Sequence, residues 1–169
     1  MPDGSIVNTT QAGVTTLDAL IIGAGFSGLY QLLSLRDKLG LKAKVVEAGD
    51  GVGGTWYWNR YPGARCDSES HSYSYYFDKE LLEEWQWSER YPGHAEVVRY
   101  LNYAADKLDL KRDIHFNSRV LSAHYSQSEN RWIVKTENGR EFVCTYLITA
   151  VGCLSSTNIP KFPGHESFE

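Results

Sequence analysis

The feature that most constrains this fold is a glycine-rich run between an apolar strand and an amphipathic helix. Residues 17–22 are apolar and predict a buried strand. The run GAGFSG (residues 23–28) follows, and leucines at helical spacing continue beyond it. Residues 43–46 predict a second strand, which ends at Glu47. This order predicts a βαβ unit, in which the two strands lie parallel and side by side.

Three glycines and one acidic residue in this unit match the requirements of a dinucleotide site. Gly23 permits a tight turn, Gly25 lets the backbone approach a diphosphate, and Gly28 lets the helix pack closely on the strand. The diphosphate would lie at the helix N-terminus, where free amides and the helix dipole favour anions. Glu47 follows about 20 residues later and would accept hydrogen bonds from ribose hydroxyls. The pattern is compatible with FAD and with NAD, because both contain adenosine diphosphate.

The composition excludes several other classes of protein. The 169 residues suffice for one domain, 42% of them are hydrophobic, and the net charge is −4. This acidic balance, with scattered basic residues, argues against nucleic-acid and membrane-surface partners. Three cysteines without metal-ligand spacing indicate a reducing compartment, so we expect a cytoplasmic protein with no metal site. We expect neither a secretory signal nor a membrane-spanning segment, because no apolar run is suited to either.

The remainder of the chain predicts an irregular segment, a helix and a group of strands. Residues 48–79 are rich in Gly, Ser, Tyr and Pro and show no helical or strand period. A short helix is predicted within residues 81–87, and a longer amphipathic helix over residues 94–109. Three strands are then predicted, the last of them continuously buried, at residues 119–125, 131–136 and 142–151.

The high aromatic content has two interpretations at this point. The chain contains eleven Tyr and five Trp, and many of them lie between Trp56 and Tyr103. Such a density suits a site that stacks a ligand ring, and it equally suits large side chains that fill a core. Composition alone leaves both interpretations open.

A second segment indicates which family of proteins the sequence resembles. The stretch GGTWYWNRYPGARCDSES (residues 53–70) begins with a glycine pair that would let the backbone pass close to an extended dinucleotide. It closely resembles the type I Baeyer–Villiger monooxygenases, which use FAD and NADPH to turn ketones into esters or lactones. The resemblance extends over residues 17–169. It implies an α/β fold, a Rossmann-like FAD-binding domain with a parallel sheet and a β-meander insertion. This domain would be the N-terminal part of a flavoprotein with two dinucleotide domains.

The resemblance also implies which residues contact FAD and NADPH. Ser27 and Glu47 would contact the adenosine half of FAD, and Val120 would lie near the adenine through its backbone. The flavin side of the cleft would be lined by Thr55, Trp56 and Trp58. The place where the nicotinamide meets the flavin would be formed by Arg65, Cys66 and Asp67. Further FAD contacts would come from Phe26, Gly54, Tyr73 and Cys153.

Asp67 is the predicted catalytic residue. Its counterpart in the family lies near the flavin and helps to hold a catalytic arginine, because a carboxylate stabilises a guanidinium. The alternative is that Asp67 is a cap or a surface partner of Arg65. Trp56 and Trp58 have core packing as their alternative role, and Cys66 has that of an inert small residue.

Some parts of such an enzyme are not among these residues. The second glycine fingerprint for NADPH and the catalytic arginine are missing, so we expect a flexible leader (1–16) and the N-terminal portion of the FAD domain (17–169). The sequence also departs from the family at Val151, where a small or hydroxyl residue is usual, and at Cys153, where members can carry a polar side chain. Three hypotheses follow: a monooxygenase acting on a ketone with O₂, a non-catalytic FAD-binding remnant, or a related enzyme that oxygenates nitrogen or sulfur.

Overall fold

A six-stranded mixed sheet forms the centre of the molecule. The computed structural model describes residues 13–168. Its strands lie in the order β3-β2-β1-β6-β5-β4 and are β1 (Thr15–Ile22), β2 (Ala43–Val46), β3 (Ile114–His115), β4 (Val120–Ser126), β5 (Arg131–Thr136) and β6 (Glu141–Thr149). β1 pairs in parallel with β2 and β6, and β2 pairs in parallel with β3. β4, β5 and β6 form an antiparallel meander. The structure confirms the predicted α/β fold.

Four helices accompany the sheet within the described residues. They are α1 (Phe26–Leu33), α2 (Thr55–Trp58), α3 (Lys79–Glu84) and α4 (His94–Lys107). α1 continues directly into a π-helical turn at Ser34–Lys38. Single 3₁₀ turns lie at Lys111–Asp113 and His165–Ser167. α3 begins at a conventional cap, because the Asp78 carboxylate accepts a hydrogen bond of 3.0 Å from the amide of Leu81.

The parallel strands and two helices share one apolar core. Ala19 and Ile21 of β1 pack with Leu29 and Leu32 of α1 and with Leu101 of α4, and all five are fully buried. Each buried leucine or isoleucine contributes about 1.5–3 kcal/mol relative to an exposed one. A second cluster joins the parallel strands to the meander and contains Leu17, Leu20, Val46, Val134, Phe142 and Cys144. The meander is therefore part of the same packed unit as the βαβ start.

A group of the aromatic residues fills a core beside α4. Tyr100 is fully buried, and its ring centroid lies 5.0 Å from that of Trp87 and 5.4 Å from that of Trp85. Its hydroxyl oxygen accepts a 2.7 Å hydrogen bond from the amide of Tyr75. The Tyr75 hydroxyl in turn donates to the carbonyl of Phe26, at 2.7 Å, in the first turn of α1. Core filling is therefore the correct interpretation for these rings.

Several element boundaries differ from the predicted ones. β1 begins at Thr15, so the end of the predicted leader lies in the sheet, while residues 1–12 are outside the described residues. The predicted helix within 81–87 is instead Lys79–Glu84. The prediction of a continuously buried last strand is wrong, because Tyr146 in the middle of β6 is 58% exposed. β6 belongs to the antiparallel meander as well as to the parallel sheet, and antiparallel strands commonly bury one face only.

Candidate functional site

A cavity of about 670 Å³ opens at the carboxyl ends of the parallel strands. Its wall includes Ile22 at the end of β1, Val46 at the end of β2 and Ala150 directly after β6. The chain leaves β1 toward β2 on one side and returns beside it as β6, so this position is a topological switch point. Open parallel sheets bind ligands there, and ligand sites typically measure about 300–1,000 Å³. This cavity is therefore the candidate binding site.

The turn after β1 requires glycine at two positions. Gly23 has a φ of +104°, and a Cβ there would lie 2.6 Å from the carbonyl oxygen of Ala150. A Cβ on Gly28 would lie 1.8 Å from the carbonyl oxygen of Gly23, far inside van der Waals contact. A side chain at position 28 would therefore push α1 away from the turn. Tight turning at Gly23 and close packing at Gly28 are the conformational roles that the fingerprint predicts.

Gly25 connects two loops and begins α1. A Cβ on Gly25 would lie 3.4 Å from the Cα of Gly54, and a Cβ on Gly54 would lie 2.9 Å from the Cα of Gly25. Both glycines line the cavity. Because the amides in the first turn of a helix have no intrahelical partner, α1 offers N–H donors and a positive dipole end at this position. The arrangement can hold a diphosphate.

Glu47 is a buried carboxylate on the cavity wall. It is only 4% exposed, and each of its oxygens accepts one backbone hydrogen bond. Oε2 accepts from the amide of Ala24 at 2.7 Å, and Oε1 accepts from the amide of Gly49 at 2.8 Å. Carboxylate oxygens can accept more than one hydrogen bond each, so the side chain retains capacity for ribose hydroxyls. Glu47 thus ties the loop after β1 to the loop after β2.

The glycines after Glu47 make room for Tyr57. A Cβ on Gly49 would lie 2.6 Å from the Tyr57 ring, and a Cβ on Gly53, with a φ of +141°, would lie 2.9 Å from the Tyr57 Cβ. The guanidinium of Arg60 lies 4.5 Å from the centroid of the same ring. Packing of Tyr57 therefore accounts for glycine at positions 49 and 53, of which the sequence-based interpretation related Gly53 only to a ligand.

The two tryptophans of α2 have different environments. Trp58 is 52% exposed and lines the cavity together with Thr55. Trp56 packs against the apolar core, and its indole Nε1 donates a 3.0 Å hydrogen bond to the hydroxyl of Tyr73. The structure therefore places Trp58 on the cavity wall, whereas Trp56 is not part of that wall.

Arg65, Cys66 and Asp67 lie outside the cavity wall. Arg65 is exposed and contacts the carboxylate of Glu89 and the carbonyl of Tyr91. Cys66 is buried, and its amide donates a 2.9 Å hydrogen bond to the carbonyl of Pro92. Asp67 is exposed, and its carboxylate has no hydrogen-bond or ion-pair partner within residues 13–168. The alternative that Asp67 pairs with Arg65 is therefore wrong.

The remaining predicted residues divide between the wall and its surroundings. Val120 lines the cavity. Phe26 packs edge-on against Tyr73, with ring centroids 4.9 Å apart, and burial raises the pKa of the Tyr73 hydroxyl. Ser27 and Cys153 are exposed and lie outside the cavity wall.

The cavity also contains residues that the sequence did not single out. Polar side chains come from three separate segments, and their participation depends on the fold rather than on a local pattern. They are Asn59 after α2, Ser118 and Arg119 before β4, and Ser155 and Thr157 after β6. Apolar surface is added by Leu154 and by Val151, the position where the sequence departs from the family pattern. Asn59 could have been found from its position next to Trp58, but the other residues carry no comparable signal.

Residues 13–168 contain no group of His, Cys, Asp or Glu side chains arranged to hold a metal ion. None of the helices in that range combines the length and the apolar character that a membrane crossing requires.

Similarity to known proteins agrees with this geometry. Residues 21–84 match the NAD(P)-binding Rossmann-like domain family. Acetone monooxygenase (methyl acetate-forming) of Gordonia sp. is 49% identical over 154 residues, which are 91% of this chain and 29% of that protein. A Baeyer–Villiger monooxygenase of Pseudooceanicola batsensis is 46% identical over 96% of this chain and 30% of its own length.

A solved structure shows the same correspondence in three dimensions. The closed crystal structure of cyclohexanone monooxygenase superposes with a TM-score of 0.86 at 44% identity, covering 93% of this chain and 30% of that one. The chain thus spans about 30% of the length of the relatives that it matches. It is a homologue of the Baeyer–Villiger monooxygenases and corresponds to the N-terminal portion of their structures.

Proposed function

We propose that the cavity binds FAD and that the whole protein is a monooxygenase of the Baeyer–Villiger type. It would use NADPH and O₂ to insert one oxygen atom beside the carbonyl of a small ketone, giving an ester or a lactone. The observation that carries the proposal is the combination on one cavity wall of the glycine turn, the Glu47 carboxylate and the exposed ring of Trp58. Along its length, FAD needs a ribose acceptor for its adenosine, an anion site for its diphosphate and an aromatic wall for its isoalloxazine, in that order.

The residues on the wall fit FAD. The first turn of α1 would bind the diphosphate, and Glu47 would accept from the ribose beside the adenine. Ser118 and Val120 lie next to Glu47, since the amide of Ser118 donates a 2.8 Å hydrogen bond to the Glu47 carbonyl, so they would enclose the adenine. Thr55 and Trp58 would border the isoalloxazine. When bound, FAD accepts hydride from a nicotinamide and activates oxygen, while the protein orients the reactants and excludes water.

Asp67 belongs to this proposal as a positioning residue. Its exposed carboxylate has both oxygens available, and a carboxylate holds a guanidinium through charge-assisted hydrogen bonds. The guanidinium would come from a part of the protein outside the described residues. Arg65 and Cys66, next to it in the chain, would then lie near the nicotinamide of NADPH.

The test combines cofactor binding with product analysis. The purified whole protein is supplied with FAD, NADPH, air and a panel of ketones, amines and sulfides, and the products are separated by mass. We expect flavin absorbance, NADPH oxidation that depends on a ketone, and an ester or lactone 16 mass units heavier than that ketone. Flavin binding with products only from amines or sulfides would replace the proposal by heteroatom oxygenation. Flavin binding without any product would support a non-catalytic FAD-binding protein, and absence of flavin binding would overturn the proposal.

A further inference from the structure

The charged residues on the cavity wall are few. Of the lining residues in the described part of the chain, Glu47 and Arg119 carry the only full charges. Glu47 has its two backbone donors, as described above, and is held in place by them. Arg119 is less constrained. Its side chain is 59% exposed, and its nearest acidic partner is Glu137, with Nε and Oε2 4.0 Å apart.

Arg119 is anchored by its backbone while its side chain keeps freedom to move. The amide of Glu137 donates a 2.8 Å hydrogen bond to the Arg119 carbonyl, which fixes the start of β4 against the end of β5. An exposed ion pair at 4.0 Å contributes little and is readily exchanged for another contact. The guanidinium can therefore turn from Glu137 toward a ligand without breaking a strong interaction.

We propose that Arg119 is a cofactor-binding residue whose guanidinium stacks on the adenine ring of the bound dinucleotide. This rests on the proposed function, because it requires an adenine nucleotide in the cavity. The position of Arg119 favours the adenine over the diphosphate. Ser118 and Val120 flank it on the wall, and the Ser118 amide bonds the backbone carbonyl of Glu47, whereas the proposed diphosphate site at Gly25 follows Ala24, whose amide bonds the Glu47 carboxylate. Arginine stacks on aromatic faces through its planar guanidinium, which lysine lacks.

The experiment measures dissociation constants of FAD, ADP and adenosine for the protein and three variants. Arg119→Ala removes the guanidinium, Arg119→Lys keeps the charge without the plane, and Arg140→Ala is the control. Arg140 is exposed, lies outside the cavity wall and gives the same change in net charge. FAD binding is followed by flavin fluorescence, and ADP and adenosine are measured by competition.

We expect Arg119→Ala to weaken all three ligands by a similar factor, about threefold to tenfold. Arg119→Lys should recover only part of this loss, and Arg140→Ala should change none of the constants. A loss confined to FAD and ADP, with adenosine unchanged, would assign Arg119 to the diphosphate and overturn the adenine assignment. Equal binding by the Arg119 variants and the unchanged protein would overturn it as well. If the unchanged protein binds none of the three ligands, the proposed function fails first, so the two failures can be told apart.

Discussion

At the scale of single residues, the site depends on positions where the backbone of two segments almost touches. Gly28 is the clearest of them, because its missing Cβ is what allows α1 to approach the Gly23 carbonyl. Glu47 is the other, because its buried carboxylate satisfies two amides from different loops. Neither residue needs a ligand to be important, so each can be tested in the protein without cofactor.

Gly28→Ala should destabilise the protein strongly. The added Cβ would lie 1.8 Å from a backbone oxygen, and backbone cannot move aside as the end of a side chain can. We expect a loss of about 3 kcal/mol or more in the free energy of unfolding, measured by urea denaturation. Gly13→Ala is the matched control, since a Cβ there meets nothing within 4 Å. Equal stability of the two variants would show that α1 does not pack on the turn in this way.

Glu47→Ala should lower both stability and FAD affinity. Removing the carboxylate leaves the amides of Ala24 and Gly49 without their acceptor, at about 1–3 kcal/mol for each buried unsatisfied group. Glu47→Gln keeps one acceptor oxygen, so its stability and FAD affinity should lie between those of Glu47→Ala and the unchanged protein. Thermal unfolding without and with FAD separates the effects, and Glu129→Ala, at an exposed position, controls for the lost charge. A variant with full stability and weaker FAD binding would restrict Glu47 to a contact with the ligand.

At the scale of elements, an ion cluster connects the π-helical turn, β2 and the end of α4. Arg36 donates to the carbonyls of Leu108 and Asp109 and forms a 3.0 Å ion pair with Asp113. Lys44 of β2 forms a 2.5 Å ion pair with the same carboxylate. Burial raises the pKa of Asp113, but the hydrogen bonds from Lys44 and Arg36 outweigh it and leave that pKa below its usual value. The cluster therefore fixes the helix layer to the sheet edge.

This cluster gives the stability a defined pH dependence. Because the pKa of Asp113 is lower in the folded than in the unfolded protein, its contribution is present above the unfolded value of about 3.9 and is lost as the pH falls through the folded value. Asp113→Asn should cost about 1–2 kcal/mol at pH 7, and the difference from the unchanged protein should shrink toward pH 2. Urea denaturation of both proteins at pH 7, 4 and 2 measures this difference in the free energy of unfolding. A difference that is constant across this range would contradict the role of the charge.

Comparison of the predicted and observed elements shows which parts of the structure can be inferred from the sequence. The predicted strands 43–46 and 131–136 agree with β2 and β5, because each is a short β-rich run whose ends are marked by the sequence. α2 was not predicted, since four residues that include three aromatics carry no helical period. The glycine turn and Glu47 were predicted because local geometry alone demands those residues. Arg119 and Thr157 could not be predicted, since their approach to the cavity depends on long-range contacts, namely the Ser118 amide on the Glu47 carbonyl and the pairing of β6 with β1.

At the scale of the whole molecule, the parallel strands place the nucleotide site, and the meander supplies part of its wall. β1, β2 and β6 bring the glycine turn, Glu47 and Ala150 to one edge, while the start of β4 adds Val120. The relatives that match this chain are about three times as long, so most of each relative has no counterpart in this chain. The question that can be tested directly on this chain is whether and how it binds FAD.

A crystal structure of the protein with FAD answers that question most directly. We expect the diphosphate on the amides at the start of α1, the adenine between Glu47 and Val120, and the isoalloxazine extending along the wall toward Trp58. A structure with the isoalloxazine elsewhere, or with the cavity closed to the cofactor although FAD is bound at another position, would contradict the assignment of this site.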